Sequence, residues 1–119
     1  MPVDDAAIAN DVVLWRRIYA SWIHKQEPRP TSFAFRTQRD EHLSMYISNE
    51  TTAERLLAGY DNCRIASLIV GFLRSIDYGV ARDPVEGDNS HVLVFPLTSR
   101  KSEGFKKDAR LMAEESKWV

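Results

Sequence analysis

Two adjacent arginines inside an apolar run constrain this chain more than any other feature. Val12-Val13-Leu14-Trp15-Arg16-Arg17-Ile18-Tyr19 is rich in β-branched and aromatic residues and reads as a strand. Alternation puts Val13, Trp15, Arg17 and Tyr19 on one face, and Val12, Leu14, Arg16 and Ile18 on the other. Each face then carries one guanidinium among apolar neighbours, so a sheet covered on either side has to bury one of them. A buried guanidinium needs an anion: a protein carboxylate, for which Asp83 or Glu54 would serve, or a ligand phosphate gripped bidentately. A helix running on through Trp22 competes with the strand, because Leu14, Ile18 and Trp22 are spaced four apart.

The rest of the chain sets the scale. At 119 residues and 44% hydrophobic it is expected to form one domain, residues 1–119, with a core that needs no disulfide or metal. Its single cysteine, Cys63, cannot form an internal disulfide and fits a reducing, cytoplasmic setting. The start, Met1-Pro-Val-Asp-Asp-Ala-Ala, has neither the basic nor the apolar region of a signal peptide, and no apolar run reaches the ~20 residues of a membrane helix. Sixteen Lys+Arg against seventeen Asp+Glu leave a formal net charge of -1, which disfavours nucleic acid and anionic lipid as partners.

Residues 1–11 read as a flexible arm or one short helical turn. After the polar loop from His24 to Pro30, Thr31 to Arg36 reads as a short strand with Ser32, Ala34 and Arg36 on one face and Phe33 and Phe35 on the other. Thr37 to Glu41 is a charged turn of hairpin size. His42 to Ile47 returns as a strand, giving an expected hairpin whose polar face holds Ser32, Arg36, Ser44 and His42. Thr51-Thr-Ala-Glu54 has capping-box spacing ahead of the apolar stripe Leu56, Leu57 and Tyr60, with Gly59 or Asn62 ending the helix. Cys63 to Val70 is the most apolar run and reads as a central strand. Gly71 to Asp77 suits one or two helical turns, with Gly79 at their exit. Val80 to Arg82 is extended, Asp83 to Asn89 is a loop, and His91 to Phe95 is a buried strand stopped by Pro96. From Ser99 or Ser102 to Lys117 the period is helical, with Phe105, Ala109, Met112 and Ala113 inward and Arg100, Lys101, Lys106, Lys107 and Arg110 forming a basic cluster. The fold class is α+β: a small mixed, mostly antiparallel sheet with two or three helices, one of them C-terminal.

Chemistry is sparsely marked. His24, His42 and His91 share no helical spacing, so no metal site is expected, and no motif calls for a cofactor. There is no G-x-S-x-G elbow, P-loop or G-x-G-x-x-G. His91, between a polar loop and an apolar strand, is the best candidate for a general base, with a capping role at the strand end as its structural alternative. A catalytic reading pairs His91 with Ser44 and assigns ligand binding to Arg16, Arg17, Ser32 and Arg36. It requires these side chains to converge within one ligand's width.

Short motifs along most of the chain resemble a family of small uncharacterised bacterial proteins with an L-x-R-R-x, R-P-S-S-x-A-F, L-S-V, D-P, H-A-L-V and W-V pattern. The matching residues are Leu14-Trp-Arg-Arg-Ile18, Arg29-Pro-Thr-Ser-Phe-Ala-Phe35, Leu43-Ser-Met45, Asp83-Pro84, His91-Val-Leu-Val94 and Trp118-Val119. The chain departs from the pattern at Thr31, at an inserted Phe33 and at Val92. This resemblance implies a cytoplasmic bacterial protein with no assigned activity. A fainter likeness is to small ADP-ribosyltransferase-like toxins of the RES type, carried by Arg16 or Arg17, Arg29 with Phe35, Ser44 and Ala53-Glu54. It implies arginines holding the pyrophosphate of NAD and an aromatic stacked on nicotinamide. Two functional readings follow. The first is a ligand- or partner-binding module, linked to defence or toxin control, that acts on a protein or a small anion. The alternative is a small NAD- or nucleotide-using enzyme.

Overall fold

The computed structural model describes residues 2–37 and 42–119. Among the described residues six strands make one sheet: β1 (Val13–Tyr19), β2 (Leu43–Ile47), β3 (Cys63–Ile69), β4 (Tyr78–Arg82), β5 (His91–Pro96) and β6 (Lys117–Trp118). Their spatial order is β4-β5-β2-β1-β3-β6, and every neighbouring pair is antiparallel. Three α-helices among the described residues accompany them: α1 (Ala53–Leu57), α2 (Val70–Ser75) and α3 (Ser102–Glu115). The α+β class with a C-terminal helix is as expected, and the sheet is more uniformly antiparallel than the sequence suggested.

Alternation in β1 and β2 builds the core. Leu14 faces Ile47 across the ladder, and these join Ile18, Met45, Leu68, Val92 and Val94 on one side of the sheet. That side is closed by Leu73 of α2 and by Ala109, Met112 and Ala113 of α3. Burying each large aliphatic side chain contributes roughly 1.5–3 kcal/mol, so this face supplies most of the stabilisation. The opposite side is smaller: Tyr46, Leu56 and Ile65, packed with Trp15, Ala53 and Leu57 under α1.

Several expectations change. Thr31 to Arg36 is no strand: Ser32–Phe35 is a 3-10 turn, closed by Ala34 N–H donating to the Thr31 carbonyl at 3.1 Å. Ala34 and its neighbour Phe35 are both buried while Phe33 is 57% exposed. Over so few residues an alternating pattern and a single tight turn look alike, and docking onto α3 chose the turn. The expected hairpin is therefore absent, and most of its turn, residues 38–41, lies outside the described residues. The cap of α1 is Thr52, whose Oγ1 accepts from Arg55 N–H at 3.1 Å, one residue later than the capping-box spacing implied. Gly79 sits inside β4, not at a helix exit. A Cβ there would lie 2.8 Å from the Phe95 ring, and Asp77, at φ 67°, makes the left-handed exit instead.

Residues 2–11 contain turns and no regular element. They run as a strap along β4 and α2. Asp5 N–H donates to the Val80 carbonyl, Asp4 Oδ1 accepts from Val80 N–H, and Arg74 donates to the carbonyls of Asp5 and Ile8. Ile8 plugs into the main core at 4% exposure. The other end of the chain is also used: β6 pairs with β3, matching Trp118 to Ala66.

Candidate functional site

β1 delivers its two arginines to opposite sides, as alternation requires. Arg17 goes to the α1 side. It donates to the Leu56 carbonyl at 3.1 Å and to Tyr46 Oη at 3.0 Å, with its guanidinium 4.0 Å from the centre of the Tyr60 ring. Arg16 goes to the main-core side, where Nε donates to the Ala34 carbonyl at 2.7 Å and Nη1 to the Ser44 carbonyl at 2.8 Å. Trp22 lies beside it at 5.8 Å. Among the described residues no carboxylate pairs with Arg16. Burial pushes its guanidinium down to about 10, and the next contribution, from Tyr19, only partly opposes this. It remains cationic at neutral pH, with donors beyond the two used on carbonyls.

Arg16 opens onto a hollow of about 200 Å³ lined also by Trp22, Phe33, Arg36, His42, Leu43 and Ser44. Arg36 enters from the end of the 3-10 turn, its guanidinium 4.1 Å from the centre of the Phe33 ring. Among the described residues its buried Nε has no hydrogen-bond partner. None of the described lining residues is acidic. Some arginines elsewhere are paired with carboxylates, Arg74 with Asp4, Arg82 with Glu50 and Arg100 with Asp108, whereas Arg17, like Arg16, is held by uncharged groups. Two guanidiniums facing one hollow, with no carboxylate partner among the described residues, form an anion-attracting pocket.

The residues named from sequence divide. Arg16, Arg36 and Ser44 come together, Ser44 through its carbonyl to Arg16. Ser32 lines a different hollow, of about 370 Å³, on the other flank of Phe33. Arg17 lies under α1. His91 lies against Tyr46 in the β5–β2 ladder, with Nδ1 2.7 Å from the Asp83 carbonyl and 3.2 Å from the Asp83 carboxylate. That contact engages the imidazole at the strand end, and it also occupies Asp83, one of the carboxylates considered for Arg16. Of the basic cluster, Arg100 is a buried tie to Asp108 under the Tyr78 ring, whereas Arg110 lines the hollow that holds Ser32.

Trp22 and Phe33 are site residues that sequence reasoning placed elsewhere, Phe33 on a core face and Trp22 only in a competing helix. The signal for Phe33 was Pro30-Thr31-Ser32, a turn-initiating run directly before it. Among the described residues no cluster of His, Cys, Asp or Glu is arranged to hold a metal, and no helix is long and apolar enough to cross a membrane. No protein-family model matches the chain, and no curated protein or solved structure shows significant similarity to it.

Proposed function

We propose that this protein is a small ligand-binding module of the bacterial cytoplasm that takes a compact anion between Arg16 and Arg36. One observation carries the reading: a half-buried guanidinium and a second one with an unmet donor line the same hollow, with no described acidic residue among its walls. Holding Arg16 charged in that position costs folding free energy that a bound anion returns. The volume, about 200 Å³, falls below the ~300–1,000 Å³ typical of pockets for larger organic molecules, which suits a phosphate- or carboxylate-sized group. The RES-type likeness motivates a role in defence or toxin control, with the anion state of the pocket signalling to a protein partner. Arg17 and His91 stand apart from Arg16 and Ser44, an arrangement that favours binding over catalysis by that set.

A thermal-shift titration with inorganic phosphate, sulfate and pyrophosphate tests the proposal. An anion at 100 times its Kd stabilises the fold by about 2.7 kcal/mol, or about 10 °C for a chain of this length. Arg36→Gln should abolish that shift and lower the unliganded Tm by no more than about 2–4 °C, because its Nε has no described partner to lose and only its contact with the Phe33 ring goes. No response to any anion, or a response unaffected by Arg36→Gln, refutes the anion site and leaves a protein partner as the ligand to seek.

A further inference from the structure

The hollow beyond Phe33 differs in character from the one Arg16 lines. Its walls include Pro30, Phe33 and Ala113 with Thr31 and Ser32, and its rim carries Arg110 and Glu114, one charge of each sign. Arg29, also at this rim, is already paired with Glu27 at 2.9 Å. The first compartment is thus basic and small. The second is larger, about 370 Å³, partly apolar and balanced in charge. Phe33 belongs to both, more than half exposed, with Arg36 over its ring. Exposure of so large an apolar ring between two hollows is what a stacking platform requires. The Thr31 hydroxyl, in the wall of the second hollow, has no hydrogen-bond partner.

We infer that the two hollows form one site for a phosphate ester of a planar aromatic ring. The phosphate sits between Arg16 and Arg36, and the ring lies beside Phe33, with its polar edge toward Thr31, Ser32 and the Arg110–Glu114 rim. This rests on the anion reading above and extends it. Opposite charges at the second rim would not concentrate a second anion, but they complement the mixed donors and acceptors of a heterocycle. Nucleoside monophosphates and simple aryl phosphates share this chemistry.

Calorimetric titration of the full chain with four probes tests the inference: inorganic phosphate, phenyl phosphate, a nucleoside monophosphate and its parent nucleoside. The ring-bearing esters should bind at least about tenfold more tightly than inorganic phosphate. Phe33→Leu should remove that advantage while inorganic phosphate binds as before, which also reports that Arg36 is still in place. A nucleotide that outperforms phenyl phosphate identifies a heterocycle as the ring, and equal binding identifies a general aryl site. If inorganic phosphate matches both esters, or binds on its own while the nucleoside matches its phosphate, the two-compartment site is overturned while the anion pocket stands. If no probe binds, both readings fall.

Discussion

Asp108→Ala is expected to be among the most destabilising single substitutions, and the structure sets the size of the effect. From the inner face of α3, the Asp108 carboxylate accepts from Arg100 Nε at 2.7 Å and from Tyr78 Oη at 3.0 Å. The Arg100 and Asp108 side chains are only 15% and 12% exposed, so water screens the pair little. Alanine would leave Arg100 with the carbonyls of Ile76, Asp77 and Thr98 and a longer, more exposed ion pair to the Asp77 carboxylate at 3.6 Å, and would leave the Tyr78 hydroxyl without its acceptor. A hydrogen bond to a charged group is worth about 1.5–3 kcal/mol, and a buried hydroxyl left unmet costs about 1–3 kcal/mol. The sum spans about 2.5–6 kcal/mol and brackets the about 3–5 kcal/mol typical of breaking a buried ion pair by removing one member. Over 119 residues this lowers Tm by about 12–20 °C, from an unfolding entropy near 2.1 cal/mol/K per residue. Urea denaturation followed by circular dichroism at neutral pH measures it directly. Removing the ion pair and the hydroxyl together, in Asp108→Leu/Arg100→Met/Tyr78→Phe, should recover part of the loss, since no member of the pair is then stranded while the carbonyls of Ile76 and Thr98 lose a donor. A single variant within about 1 kcal/mol of the parent, or a triple variant no better than the single, would refute this reasoning.

Two further outcomes are expected. Burial, followed by the nearby Asp108 charge, holds the Tyr78 phenol well above its ordinary value of 10.0. The native state therefore keeps a proton that the unfolded chain loses. The associated stability is complete below about pH 10 and declines as pH rises beyond it. Comparing urea midpoints at about pH 9 and about pH 11, Tyr78→Phe should show a shallower alkaline loss than the parent, and parallel losses would contradict the assignment. At the start of α1, Thr52→Ala should cost about 1 kcal/mol by removing the bond from Arg55 N–H. Thr51→Val should be neutral or stabilising, because the buried Thr51 hydroxyl has no partner. Chemical denaturation of the two variants decides between this cap and the capping-box register, which predicts the reverse order.

Strands with a clean hydrophobic period were legible. β1, β3 and β5 lie within a residue or two of where β-branched and aromatic runs put them, because burial on one or both faces leaves those residues few other uses. The same alternation correctly split Arg16 from Arg17. It was unreliable at Thr31 to Arg36, where six residues are too few to separate a strand from a turn. The docking of Ala34 and Phe35 under α3 made that choice through contacts distant in sequence. Trp118 at the sheet edge and the Asp4–Arg74 strap are likewise products of long-range closure, with partners tens of residues away. The candidate site shows the same division. That one of two adjacent arginines must enter the core side followed from period two alone. Only the tertiary structure decided that Asp83 would be taken by His91, that no described carboxylate would meet Arg16, and that Arg36 would face the same hollow. A guanidinium's partner is set by which chain segments close around it in space, and neighbouring residues in sequence carry little of that information.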